Sequence, residues 1–334
     1  MNLPTFHREP LVDAFGRRHT YLRISLTDRC NFRCVYCMPP EGVEWGPRET
    51  ILSLEEIYRL SGLFAELGIT KVRLTGGEPT IRKGFLDLVG HIASTPGIEK
   101  VLVTTNGSRL AKQARDLRER GLSGVTISLD SLNRSTFAKI TRTDSLDVVL
   151  EGIDAALEAG IPTIKLNTVV MAGHNEGELL DLVEFVRDRP VQVRFIEFMP
   201  FAGNRWSVDR VIGYREMRET IERRYTLTPL PGQPSDVAKE FFVEGMQGTV
   251  GFITSVTDSF CGGCNRVRLT ADGRFKTCLF LPPRTSLRDL MREGATDEQL
   301  VKAIRDDLGT KWAGHPPMDR WEQLDTLSMV EIGG

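Results

Sequence analysis

Six short stretches of alternating polar and apolar residues, separated by helical stretches, narrow the fold of this chain more than any other feature. The strand-type stretches are Tyr21–Leu26, Lys71–Thr75, Lys100–Thr105, Gly124–Leu129, Thr163–Val170 and Val191–Glu197. Helical patterns over 54–67, 84–94, 109–119, 134–141, 146–159 and 176–188 fall between them. Ser53 with Glu56 reads as a capping box for the first helix, and Gly68 as its stop. Strands alternating with helices predict a parallel sheet with right-handed crossovers. At this level an incomplete (β/α)6 barrel of TIM type and an open doubly wound sheet read alike.

The pattern inside the strands separates the two. Strands of a parallel sheet covered on both faces are continuous apolar runs. Here Leu22 and Ile24 oppose Arg23, Val72 and Leu74 oppose Lys71 and Arg73, and Ile164 and Leu166 oppose Lys165. Val193 and Phe195 oppose Arg194 in the same way. Each strand has one face for helices and one polar face. A curled sheet with a polar interior satisfies all six, so the expected fold is α/β, an incomplete TIM-like (β/α)6 barrel with a C-terminal α+β extension. Its interior would carry Arg23, Lys71, Arg73, Lys165 and Arg194, and buried cations need anions. A solvent-facing strand accounts for one such lysine, but not for five cations spread along the sheet. A polyphosphate or a zwitterionic cofactor would answer them.

The 334 residues suit one large barrel or two domains, and the net charge of −2 gives no general pull toward nucleic acid or membrane. There is no apolar run of about 18 residues and no signal-peptide core. The expected location is therefore cytoplasmic, where six cysteines are more often metal ligands than disulfides. They form two groups of three: Cys30, Cys34, Cys37 and Cys261, Cys264, Cys278. Three thiolates on a four-iron cluster leave one iron open for a substrate or cofactor. A zinc half-site completed from elsewhere in the chain is the alternative.

Beyond Gly203 the pattern changes. Residues 214–224 look helical, 229–236 are rich in Pro and Gly, and 240–244 and 249–256 are β-type. Asp272-Gly273 is a hairpin signal, pairing Asn265–Thr270 with Arg274–Cys278. Helices are expected at 286–292 and 297–307, before a tail ending in Gly333-Gly334. The expected division is an arm over 1–20, the partial barrel over 21–225 and a second-cluster region over 226–334. Arg266 and Arg268 alternate with Val267 and Leu269, so two guanidiniums share a face beside the second cysteine group, suited to an anionic substrate.

Cys-x₃-Cys-x₂-Cys with Tyr36 before the last cysteine, followed by Gly76-Gly77-Glu78-Pro79, resembles the radical S-adenosylmethionine superfamily. With Cys-Gly-Gly-Cys-Asn-Arg-Val-Arg-Leu-Thr and the terminal Gly-Gly, nearly the whole chain resembles the GTP 3′,8-cyclase (molybdenum cofactor biosynthesis protein A) family. The resemblance implies two 4Fe-4S clusters, S-adenosyl-L-methionine as cofactor and GTP as substrate. It implies that a 5′-deoxyadenosyl radical takes hydrogen from the ribose C3′, after which C3′ closes on guanine C8. In that reading Cys30, Cys34 and Cys37 hold the first cluster, and Cys261, Cys264 and Cys278 the second. Tyr36, Gly76, Gly77, Glu78, Ser128 and Met199 would contact S-adenosylmethionine. Arg23, Lys71, Arg73, Thr104, Lys165, Arg194, Arg266, Val267 and Arg268 would contact GTP. Gly333 and Gly334 would reach into the active site. The resemblance also implies a reductant protein such as flavodoxin or ferredoxin, a downstream cyclic pyranopterin monophosphate synthase and a homodimer. A peptide-modifying maturase with twin clusters and a non-catalytic metal-binding protein are the other readings; the six cysteines and the Arg-x-Arg pair favour a nucleotide substrate.

Overall fold

The computed structural model describes residues 8–39, 41–42, 46–315 and 327–333. The six expected strands form as β1 (Tyr21–Ser25), β2 (Lys71–Thr75), β3 (Lys100–Thr105), β4 (Gly124–Ser128), β5 (Ile164–Val170) and β6 (Gln192–Glu197). Between them lie α1 (Leu54–Glu66), α2 (Phe85–Ser94), α3 (Leu110–Glu119), α4 (Arg134–Thr141), α5 (Leu146–Glu158) and α6 (Leu179–Phe185). The Ser53 capping box is present, with Ser53 and Glu56 exchanging side-chain and backbone hydrogen bonds; such a cap stabilises a helix by about 1 kcal/mol. Helix α1 buries Ile57, Leu60, Leu63 and Phe64 against the sheet, each worth about 1.5–3 kcal/mol when fully removed from water. Helix α6 is shorter than the expected 176–188, because its first turn is a 3₁₀ segment and the chain leaves the helix after Phe185.

The remaining elements are α7 (Tyr214–Glu222), β7 (Leu227–Pro229), β8 (Ala238–Val243), β9 (Thr249–Ile253), β10 (Arg266–Leu269), β11 (Phe275–Lys276), α8 (Leu287–Arg292), α9 (Asp297–Gly309) and α10 (Met329–Ile332). All eleven strands belong to one sheet, ordered β11-β10-β1-β2-β3-β4-β5-β6-β9-β8-β7. Strands β1 to β6 pair in parallel, in sequence order. The C-terminal strands do not form a layer apart from this sheet. Strand β10 joins the free edge of β1 and β9 that of β6, both in parallel. The β10–β11 hairpin forms as expected around Asp272-Gly273.

One face of the sheet is the apolar core beneath the helices, holding Leu22, Ile24, Val72, Leu74, Val103, Ile127, Leu166 and Val193. The other is polar, and its side chains from β1 to β6, β8, β9 and β10 line a single cavity of about 430 Å³. Among the described residues no helix is long and apolar enough to cross a membrane.

Candidate active site

The parallel strands place the two cysteine groups at opposite ends of the polar face. Cys30, Cys34 and Cys37 follow the C-terminal end of β1. Cys264 precedes β10, whose Arg266 is level with Tyr21 at the start of β1. Cys278 follows β11, which runs antiparallel to β10 and so returns to the same end.

The first loop is held from behind by α4. Arg33 N donates to Thr141 O at 3.0 Å and Val35 N to Ile140 O at 2.9 Å. Arg142, left-handed at φ 56°, donates to Arg33 O and Met38 O. The turn closes as Cys37 N and Met38 N donate to Cys34 O. Burial pushes the Cys30 thiol up to about 11, the Cys37 thiol up to about 12, and Cys34 well above its ordinary value. Metal coordination is what would bring three such thiols to thiolates.

The Gly-Gly-Glu-Pro turn at the end of β2 lies against the chain leading into that loop. Gly77 N donates to Thr27 O at 2.6 Å and Glu78 N to Arg29 O at 2.8 Å. A Cβ on Gly76 would stand 2.6 Å from Thr27 O, and one on Gly77 2.3 Å from Arg29 O, so no side chain is tolerated. Glu78, expected to meet the cofactor, is engaged by the protein itself. Its carboxylate is fully buried and accepts from Thr80 N, Thr80 Oγ1, Thr105 Oγ1 and Asn106 N. Those four donors fix it as a structural link between β2 and β3. Asn106 in turn donates to Asn31 Oδ1 at 2.9 Å and to Cys30 Sγ at 3.9 Å. Tyr36 Oη donates to Asp130 Oδ2 at 2.8 Å. Asp130 is pushed up to about 6 by burial, against the hydrogen bonds from Val169 N and Tyr36. Ser128 ends β4 beside Asn167, and Met199 reaches the cavity wall.

Between the two cysteine groups the cavity is strongly basic. Arg23, Lys71, Arg73, Thr104, Lys165, Arg194, Arg266 and Arg268, all singled out by the sequence, line it together. Lys100 is an eighth basic side chain in the wall, against the acids Asp236 and Glu240. Arg268, Arg23 and Arg73 are level on three neighbouring strands. Arg73 is held by Tyr21 Oη at 2.5 Å, Thr126 Oγ1 at 3.0 Å and Thr104 Oγ1 at 3.1 Å. Arg194 donates to Asn167 Oδ1 at 2.7 Å, and Lys165 pairs with Glu240 at 3.2 Å. Arg266 donates to Ser235 O and stacks over Phe260. Burial, then the neighbouring Arg266, brings Arg268 down to about 10. Burial and Arg73 do the same to Arg194, and burial with Arg268 lowers Arg23 well below its usual value. Burial alone would raise the Tyr21 phenol, but Arg73 and Arg23 outweigh it and bring it down to about 7. Burial leads in the three arginine shifts, and the neighbouring guanidiniums that add to them, and that lower Tyr21, mark a crowding of positive charge on this face.

Val267 departs from the expectation. It is fully buried on the opposite face, in the apolar core between the two cavity-facing arginines. Tyr21, Lys100, Thr126, Asn167 and Glu240 were not among the expected contacts; Tyr21 was readable from its two-residue spacing to Arg23.

Cys261, Cys264 and Cys278 line the far end of the cavity. Cys264 N donates to Cys261 O in a short turn, and a Cβ on Gly263 would strike Pro234 O at 1.7 Å. Burial raises the Cys264 thiol, but Lys311 and Arg266 outweigh it and the net shift is downward, opposite to the first group. All six cysteines are free thiols. Among the described residues no three His, Cys, Asp or Glu side chains gather closely enough for a single metal ion. A four-iron cluster asks for less convergence, because each thiolate binds its own iron. Three part-buried thiols at each end fit that donor set.

Gly333 ends α10 at φ 88°, accepts from Thr75 Oγ1 at 2.8 Å, and leaves no room for a Cβ, which would stand 2.4 Å from Ser25. The tail thus crosses the ends of β1 and β2. Gly334 lies outside the described residues.

A mostly parallel α/β sheet with three thiols beyond β1 and a Gly-Gly-Glu-Pro turn beyond β2 defines a radical S-adenosylmethionine protein. Residues 24–186 match the Radical SAM superfamily model, and residues 191–317 the Molybdenum Cofactor Synthesis C model. The mitochondrial GTP 3′,8-cyclase of Arabidopsis thaliana is 47% identical over 97% of this chain and 83% of its own. The GTP 3′,8-cyclase of Rhodopirellula baltica is 46% identical over 93% of this chain and 89% of its own. The chain therefore belongs to the GTP 3′,8-cyclase family of that superfamily. It spans about half of longer relatives such as the Homo sapiens molybdenum cofactor biosynthesis protein 1, at 45% identity over 51% of that protein. Among solved structures, Streptococcus suis SuiB bound to its precursor peptide SuiA aligns with TM-score 0.61 over 89% of this chain and 68% of its own. At 13% identity that likeness concerns the fold alone.

Proposed function

We infer that this protein is a radical S-adenosylmethionine enzyme that converts GTP to (8S)-3′,8-cyclo-7,8-dihydroguanosine 5′-triphosphate, the first step of molybdenum cofactor biosynthesis. The observation that carries the substrate is the level row Arg268–Arg23–Arg73 in a basic cavity between two three-thiol ends. A volume of about 430 Å³ is in the range of nucleotide-sized sites. A triphosphate supplies the negative charge the wall lacks, and several arginines suit its oxygens.

Cys30, Cys34 and Cys37 would hold one 4Fe-4S cluster and Cys261, Cys264 and Cys278 the other. The first cluster with S-adenosylmethionine supplies the hydrogen-abstracting chemistry when bound. The chain's own part is positioning. Backbone at Gly76 and Gly77, with Tyr36, Ser128 and Met199, would seat the cofactor. Arg23, Lys71, Arg73, Thr104, Lys165, Arg194, Arg266 and Arg268 would grip GTP so that its ribose faces the first end and its guanine the second. Lys71 stacks on Tyr21, Arg73 is fixed by two threonines, and Arg194 by Asn167, so much of the grip is already oriented. Enclosure between the sheet, the segments carrying Phe260 and Phe280, and the tail at Met329 would keep water from the reacting carbon. We read the curved sheet as a partial barrel over 21–225 completed by 226–334. The same reading carries a flavodoxin- or ferredoxin-type reductant, handover to cyclic pyranopterin monophosphate synthase, a homodimer and a cytoplasmic location.

The test is anaerobic reconstitution with iron and sulfide, followed by S-adenosylmethionine, reductant and either GTP or guanosine. GTP is expected to give 5′-deoxyadenosine and a cyclised nucleotide. Guanosine, without phosphates for the arginines, is expected to give neither. Equal turnover of both would refute the role of the basic wall.

A further inference from the structure

A buried lysine stands behind the second cysteine group. Lys311 follows α9 and is only 4% exposed. Its ammonium lies 2.6 Å from Thr277 O, 2.8 Å from Arg266 O and 3.6 Å from Cys264 Sγ. An ammonium has three donors, and each has an acceptor here. Arg266 is two residues beyond Cys264, and Thr277 immediately precedes Cys278. One side chain therefore fastens together the two strands that deliver Cys264 and Cys278, just past the Arg268–Lys276 pair where the β10–β11 ladder stops.

A second cation braces the third cysteine. Arg17 donates to Cys261 O at 2.8 Å, Ala313 O at 2.7 Å and Trp312 O at 2.6 Å, and is itself held by Asp13 at 2.6 Å. It joins the Cys261 turn to the residues directly after Lys311. Burying an ammonium against two neutral carbonyls is unfavourable without a negative partner. The sulfur of Cys264 is the group placed to supply one.

We propose that Lys311 is a positioning and charge-compensating residue of the second iron–sulfur site, with Arg17 as its outer brace. Its hydrogen bonds set the spacing of the thiolates, and its charge favours the more negative, reduced state of a cluster bound there. The proposal rests on the reading that Cys261, Cys264 and Cys278 hold a 4Fe-4S cluster.

The test uses the full chain carrying Cys30→Ala, Cys34→Ala and Cys37→Ala, so that bound iron reports the second site. In that background Lys311→Met is expected to lower iron content severalfold after reconstitution. At a fixed applied potential its reduced-to-oxidised ratio, read by electron paramagnetic resonance, is expected to fall about tenfold, which is about 59 mV for one electron. Lys311→Arg keeps the charge and is expected to recover that ratio. In the complementary background, Cys261→Ala, Cys264→Ala and Cys278→Ala, Lys311→Met is expected to leave first-site iron unchanged. Unchanged iron and ratio in the first background would overturn the proposal. So would equal iron loss in both backgrounds, which is a general folding defect, or an Lys311→Arg ratio as low as that of Lys311→Met. A Lys311 parent that takes up no iron at the second site would instead overturn the cluster reading beneath it.

Discussion

Arg23 and Arg268 are register partners on adjacent parallel strands, and both side chains enter the same cavity wall. Like charges directly opposite one another destabilise a sheet, and burial together with this neighbour lowers Arg23 well below its ordinary value. Stability and substrate affinity should therefore move in opposite directions here. Arg268→Gln is expected to raise the melting temperature of the metal-free chain by a few degrees. It is expected to weaken GTP binding at least about tenfold, about 1.4 kcal/mol. Calorimetry on the same preparation reads both, and a variant both less stable and unimpaired in GTP binding would contradict this.

Glu78 is held by four donors and has no face on the cavity. Glu78→Gln turns an acceptor into a donor opposite Thr80, Thr105 or Asn106. The expected loss is about 1–3 kcal/mol of stability, with reduced iron at Cys30, Cys34 and Cys37 because Asn106 steadies that loop. Iron at the second group should be unaffected. Full first-site loading with normal stability would show that the carboxylate is not the link described.

His19 is completely buried, 3.7 Å from Asp13, and neither ring nitrogen has a hydrogen-bond partner among the described residues. Burial and the nearby Lys311 push it down to about 4, with Asp13 opposing. The unfolded chain titrates near 6.5. As pH falls from about 6.5 toward 4, the unfolded state takes a proton that the folded state refuses. Stability is complete above that window and is lost within it, by up to about 3 kcal/mol. Urea unfolding of the metal-free chain at pH 7 and pH 4.5 should show a smaller loss in His19→Gln than in the parent. Equal losses would assign the acid sensitivity elsewhere.

Gly333 has a left-handed backbone and Ser25 stands where its Cβ would be. Gly333→Ala is expected to displace the tail from Thr75 and cut turnover at least about tenfold, while both iron sites still load. Unchanged turnover would remove the tail from the active site.

The alternation inside six strands made the parallel sheet and its basic face legible, because a two-residue period reports a face directly. The odd partition of the cysteines made two sites legible. The attachment of β9 to β6 and β10 to β1 was not legible, since parallel pairing between distant segments leaves no local pattern. The same locality explains why the partners of Glu78 and the inward turn of Val267 were not legible. Glu78 sits in a motif that suggests a ligand contact, but its donors come from Thr80 and from the end of β3. Val267 sits between two cavity arginines, and the strand period turns it into the core. Lys311 carried no signal, because nothing near it in sequence announces that its ammonium reaches Cys264.

The most direct measurement is turnover of GTP deuterated at the ribose C3′, with both clusters loaded. Deuterium is expected in the 5′-deoxyadenosine released, together with a nucleotide closed between C3′ and C8. 5′-Deoxyadenosine without deuterium, or with GTP recovered intact, would contradict GTP cyclisation at this site.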